Sequence, residues 1–113
     1  MRELLAAKIH NATVTEANLA YVGSITIDAT LLDAVDLWPG QKVLVVSNTS
    51  GARLETYVIR GEADSGVICM NGACAHLIRA GEQVIIMGFR FSESPIEAQI
   101  VLADANNRID RRL

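Results

Sequence analysis

Aromatic side chains are scarce in this chain, with two Phe, two Tyr and one Trp among 113 residues. Half of the residues are nonetheless hydrophobic, so a core has to be built from Val, Ile, Leu and Ala. Cysteine and histidine are equally sparse: Cys69, Cys74, His10 and His76 are all there are. The cysteines lack the C-x2-C spacing of a structural zinc site and the further ligands are missing, which leaves free thiols in a reducing compartment. No apolar run approaches the roughly 18 residues of a membrane span. The start, Met1-Arg2-Glu3-Leu4-Leu5, has no long apolar stretch ahead of a small-residue cleavage site, so a cytoplasmic protein is expected. Positive charge is also short, at ten Lys and Arg against thirteen Asp and Glu. Binding a phosphate backbone needs a basic face, which argues against a nucleic-acid partner. The one basic cluster, Arg108, Arg111 and Arg112, is interleaved with Asp104 and Asp110 and reads as a solvated tail.

What is present is a series of short β-branched runs separated by turn residues. Strands are expected over Leu5–Thr15, Ser24–Asp28, Lys42–Ser47, Leu54–Arg60, Gly66–Met70, Gln83–Phe89 and Ala98–Ala103. The run from Ser47 to Ala52 supplies the turn of a hairpin that aims Arg53 to Tyr57 back along its partner. Only Ala29–Val35 and Ala73–Arg79 read as helix, the second stopped by Gly81. One domain over residues 1–113, mainly β and closed into a barrel with few edges, is the expected architecture.

A Gly-Ser pair at the start of a strand is ordinarily a turn. Here Gly23-Ser24 stands in a particular company: Lys8-Ile9-His10 before it, Ile25-Thr26-Ile27-Asp28 after it, then Arg53 with Thr56-Tyr57, then Asn71-Gly72-Ala73-Cys74-Ala75-His76. In this order the chain resembles the aspartate 1-decarboxylase family, pyruvoyl enzymes that make β-alanine for pantothenate and coenzyme A. The resemblance runs from about Leu4 to Phe89. It implies a six-stranded double-psi β-barrel, a homotetramer, L-aspartate as substrate and an activating protein as a possible maturation partner.

The chemistry follows from the residues. Decarboxylating an amino acid leaves charge on Cα that no ordinary side chain can delocalise, and no pyridoxal site is recognisable, so the electrophile has to be made. If Ser24 Oγ attacks the Gly23 carbonyl, the peptide becomes an ester; loss of the Ser24 α-proton then splits the chain into residues 1–23 and 24–113. The residue left at position 24 hydrolyses to a pyruvoyl group, which would hold the substrate amine as a Schiff base. Glycine on the leaving side leaves the carbonyl open.

The resemblance assigns the remaining roles. Thr56 would steady the Gly23 oxyanion and later contact substrate. Tyr57, protonated at neutral pH, would return a proton to the carbanion. Arg53 and Lys8 would bind carboxylates. Asn71, Gly72, Ala73 and Cys74 would form the substrate loop, with Cys74 standing where the family often has alanine. His10 and His76 would orient neighbours, Val46 stands where some relatives carry tryptophan, and Trp38 reads as a packing residue in a turn. Strand alternation puts Thr56 and Tyr57 on opposite faces, so both reach one site only through twist or at a boundary between subunits. Two other readings stay open: a β-barrel that only binds, and a pyruvoyl decarboxylase of another acidic amino acid such as glutamate, since one methylene is worth only ~1 to 3 kcal/mol of discrimination.

Overall fold

A computed structural model describes residues 1–113. In chain order the elements are β1 (Arg2–Thr13), β2 (Glu16–Asn18), β3 (Ser24–Asp28), α1 (Ala29–Val35), β4 (Lys42–Ser47), β5 (Arg53–Gly61), β6 (Ile68–Asn71), α2 (Cys74–Leu77), β7 (Gln83–Ser92), β8 (Gln99–Ala103) and β9 (Ile109–Arg112). The strands form one sheet ordered β2-β6-β3-β5-β4-β7-β1-β8-β9. Only Val14 and Thr15 separate β1 from β2, and their N–H groups bond Glu82 O at 2.9 Å and Ile68 O at 2.8 Å. That first segment therefore reaches both ends of the run and closes it into a ring of six members, with β8 and β9 as a hairpin outside the ring. The class is the expected one, mainly β and barrel-like with short helices. The count is nine strands rather than six, because the break at Val14-Thr15 divides one segment and the hairpin adds two.

Alternation explains which faces are buried. In β4, Val43, Val45 and Ser47 point inward between half-exposed neighbours, and Val84 and Ile86 do the same in β7. They meet Ile9, Ile25, Ile27, Val58, Ile68, Met70 and Val101, almost all without exposed surface. β6 is different, since all four of its residues are buried. Both of its faces are covered, which shelters Cys69 and Asn71 from solvent.

Two buried polar side chains fix the ends of elements. The Asp28 carboxylate caps α1 at Thr30 N, 2.8 Å, and also accepts from Asp64 N at 3.0 Å and Gly66 N at 2.8 Å. Three backbone donors compensate a charge that burial would otherwise penalise. Asn107 accepts from Thr13 N at 2.7 Å and donates to Thr13 O and Gly66 O, both at 2.8 Å, latching the hairpin to the barrel.

Several of the expected boundaries move, by one to three residues in most cases. The first strand begins at Arg2 rather than Leu5, and the sixth runs Ile68–Asn71 rather than Gly66–Met70. The second helix stops at Leu77, because Ile78 turns extended and buries its side chain completely. The tail expected to be loose is strand β9, fully exposed but paired with β8, with Arg112 on Gln99 at 3.1 Å.

Glu82 ties the turn before β7 to β4. It accepts from Ser47 Oγ at 2.6 Å and from Arg79 N at 2.7 Å. The Ser47 hydroxyl, followed by the Arg79 N–H, holds its carboxyl below the ordinary value of 4.5. A lowered folded pKa contributes stability that is complete above the unfolded value and disappears as pH falls through the folded one. Melting temperature is therefore expected to fall more steeply below about pH 4.5 in the wild type than in Glu82→Gln, which keeps an acceptor but cannot titrate. Parallel curves for the two proteins in acid would exclude Glu82 as a source of the pH dependence.

Candidate active site

Ser24 opens β3 and is wholly buried, while Val22, two residues earlier, is 73% exposed. The backbone thus passes from an open loop into the barrel across Gly23. Ser24 Oγ accepts a hydrogen bond from Asn71 Nδ2 at 2.9 Å and donates to Val22 O at 3.3 Å. Antiparallel pairing of β3 with β6 sets Ser24 directly across from Asn71. The same Nδ2 donates to Thr26 Oγ1 at 3.0 Å, and Asn71 Oδ1 accepts from Cys69 Sγ at 3.2 Å.

Gly72 closes the other side of the Gly23-Ser24 segment. Its N–H is bound to Asn18 O at 2.7 Å, and Asn18 Oδ1 also holds Ala20 N at 3.0 Å. Gly72 has φ +65°, and a Cβ there would lie 2.6 Å from Gly23 N and 2.7 Å from both Gly23 Cα and Tyr21 O. Gly23 itself has open space around its Cβ position, its nearest neighbour being Asn71 O at 3.9 Å. The glycine that must be small for steric reasons is therefore Gly72, whereas Gly23 has room at its Cβ position.

The parallel register of β3 and β5 pairs Ile25 with Val58. Continued one residue back, to the first residue of β3, it sets Ser24 level with Tyr57. Level residues of adjacent strands share a face, so Tyr57 lies on the side of the sheet that carries Ser24, Thr26, Cys69 and Asn71. Thr56 lies on the inner side with Val43 and Val58. Tyr57 is 39% exposed, available to a ligand arriving from outside the barrel. Beside it on β4 stands Lys42, held by Glu55 at 3.0 Å, which raises the Lys42 pKa by hydrogen bonding and charge.

Lys8 and Arg53 are not gathered here by a single chain. Arg53 begins β5, four residues from Tyr57, or ~13 Å along the strand. Lys8 is in β1, paired with Met87 of β7, and β7, β4 and β5 separate it from β3 in the sheet. Through Met87 and Leu44 it is level with Glu55, so both cations belong to the outer surface of the β1-β7-β4-β5 half. Ala73 and His76 are exposed and Cys74 is half-buried. His10 Nδ1 is buried without a partner. Trp38 is exposed at its turn, its indole N–H on Asp36 Oδ1 at 2.9 Å rather than packed inside.

Three members of the cluster escaped the sequence reading: Thr26, Cys69 and Asn18. The first two could have been found from alternation, since residues at Ser24 and Thr26, and at Cys69 and Asn71, share faces once β3 and β6 are paired. Asn18 contributes through a backbone carbonyl, which side-chain identity does not signal. Burial pushes the Cys69 thiol above its ordinary value, with a smaller push from Glu16.

A sequence profile described as aspartate decarboxylase matches residues 1–110, beyond the span over which motifs alone carried the likeness. The chain is 53% identical over 112 residues to an aspartate 1-decarboxylase of Neisseria meningitidis, covering 96% of this chain and 88% of that protein. It is 52% identical over 113 residues to that of Listeria monocytogenes, at 96% and 89% coverage. With that of Bacillus cereus the identity is 54% over 112 residues, at 96% and 88%.

Proposed function

Because the chain belongs to the aspartate decarboxylase family, we propose that it cuts itself between Gly23 and Ser24 and then converts L-aspartate to β-alanine and carbon dioxide. The observation that carries this reading is the wholly buried Ser24 hydroxyl, held by Asn71 Nδ2 at 2.9 Å and directly following a glycine with no close neighbour at its Cβ position. Gly72 packs against the same segment, too close to Gly23 and Tyr21 to carry a side chain.

Maturation is an acyl shift followed by an elimination. Ser24 Oγ forms a bond to the Gly23 carbonyl carbon, the C–N bond breaks, and the hydroxyl proton passes to the Ser24 nitrogen. Loss of the Ser24 α-proton then expels the Gly23 carboxylate from Cβ. Water replaces the nitrogen of the residue left behind, ammonia departs, and a pyruvoyl group heads the 24–113 fragment. Asn71 Nδ2 would stabilise charge on Oγ during the first step, and Thr56, beside Tyr57 on β5, is the residue assigned to steady the Gly23 carbonyl oxygen.

The residues fit such a group. Position 24 is paired with Asn71 of β6 and stands level with Tyr57 of β5, whose side chain is partly exposed. When formed, the group supplies the electron sink for the charge left on substrate Cα as carbon dioxide leaves. Tyr57 is the acid that would return a proton to that carbon, and Arg53 with Lys8 would bind the carboxylates. Arg53 and Lys8 lie on a different part of the outer surface from Ser24, which supports a site completed by a second copy, as in a homotetramer. β-Alanine made in the cytoplasm would feed pantothenate synthesis.

Intact-mass analysis tests the central step. Purified protein, incubated warm and with cell extract to provide any activating protein, is expected to resolve into fragments 1–23 and 24–113, the second refractory to Edman degradation. Ser24→Ala is expected to stay whole. A wild-type chain that remains uncut, with serine intact at position 24, removes the reading.

A further inference from the structure

An asparagine amide is nearly symmetric in shape, and a half-turn about its last bond exchanges donor for acceptor. Asn71 has three polar neighbours: Ser24 Oγ at 2.9 Å, Thr26 Oγ1 at 3.0 Å and Cys69 Sγ at 3.2 Å. Both hydroxyls can either give or take a hydrogen bond, so they are satisfied by either orientation of the amide. The thiol is not neutral in this choice. An S–H is a donor and its sulfur a weak acceptor, so Cys69 draws Oδ1 to itself and turns both N–H groups toward Ser24 and Thr26.

We infer that Cys69 is a positioning residue for self-cleavage, acting through Asn71 to keep an N–H donor on the Ser24 nucleophile. This rests on the cleavage proposed above and extends it to a side chain that touches neither the scissile bond nor the substrate. The orientation matters because the two alternatives have opposite effects on Ser24 Oγ. A donor stabilises the negative charge that develops as the hydroxyl proton leaves. An acceptor in its place would hold the proton on oxygen. With Asn71 donating, the Ser24 hydrogen is directed to Val22 O at 3.3 Å, and Thr26 occupies the second amide hydrogen so that neither is left unpaired.

Burial keeps the donor in service. Cys69 is 7% exposed, and desolvation raises its pKa, so the thiol retains its proton at neutral pH. β6 also leaves Cys69 no competing partner of similar quality, since its other contact is Met70 O at 4.0 Å.

The experiment is a time course of cleavage by intact mass for Cys69→Ala, Cys69→Ser, Asn71→Ala and the Cys69→Ala/Asn71→Ala double variant, with melting temperature measured on each. Cys69→Ala is expected to cleave roughly five- to tenfold more slowly than wild type, the factor set by one hydrogen bond. Cys69→Ser, which restores a donor, is expected within about twofold of wild type on the same scale. In the Asn71→Ala background the loss of Cys69 is expected to make no further difference, because its effect passes through that amide. Cys69→Ala cleaving as fast as wild type, or losses that multiply in the double variant, would overturn the inference while leaving self-cleavage standing. A wild-type chain that never cleaves would overturn both.

Discussion

Gly72→Ala is expected to slow self-cleavage by about 100-fold or more while the barrel remains folded. The new methyl would sit 2.6 to 2.7 Å from Gly23 N, Gly23 Cα and Tyr21 O. All three are backbone atoms, so no flexible side chain can swing away and the Gly23-Ser24 segment itself has to move. Displacing a reacting centre by about 1 Å can cost 100-fold in rate. Residue 72 also adopts φ +65°, where a non-glycine residue costs roughly 1 to 2 kcal/mol. Gly51 separates the two effects. It has φ +80° but nothing within 4 Å of its Cβ position, so Gly51→Ala suffers the strain without the clash. Cleavage time courses of the two variants, compared at equal melting temperature, decide the matter. Equal rates would mean that Gly72 serves only its own backbone conformation, and that contact with Gly23 has no part in maturation.

Much of this was legible in the residues, for reasons that differ from element to element. β4 and β7 alternate cleanly because one face meets the core and the other does not, and that pattern survives in the letters. The turn at Asn48-Thr49-Ser50-Gly51 is chemically marked. β2 was missed because its three residues, Glu-Ala-Asn, have no strand propensity and are held by pairing with β6 rather than by their own pattern. β9 was missed because Asp-Arg-Arg reads as solvated. It is ordered instead by the Asn107 latch and by the Asp104 carboxylate, which takes Asn106 N at 2.8 Å and Arg108 N at 3.0 Å. At the site, Ser24, Gly23 and Asn71 were named from motif order and the fold brings them into contact. The pairing that does so joins positions 47 apart in sequence, and no local signal carries such a register. Gly72, expected in the substrate loop, also packs so closely on Gly23 and Tyr21 that no side chain fits there. That contact depends on how the loops pack at the end of the barrel.

Tyr57→Phe is expected to mature normally and then fail in turnover, by roughly 100- to 10,000-fold, the range for loss of a positioned acid. Tyr57 lies level with Ser24 and on its face of the sheet, yet none of the groups that hold Ser24 is the phenol: Asn71 and Val22 occupy its hydroxyl. Removing the phenolic oxygen therefore leaves the precursor's nucleophile untouched. The ring remains to cover the same surface, so packing changes little. Thr56→Ala gives the opposite separation. Thr56 lies on the inner side of β5 opposite Val43 and is assigned to the Gly23 carbonyl oxygen, so its loss is expected to slow cleavage before any turnover can be measured. Cleavage by mass and β-alanine formation by chromatography, the latter normalised to pyruvoyl content, read the two steps independently. Processed Tyr57→Phe that makes β-alanine at the wild-type rate would show that water or another side chain delivers the proton. Lys42, the neighbour of Tyr57 across β4, would then be the first group to examine, since its ammonium is held protonated by Glu55 at 3.0 Å.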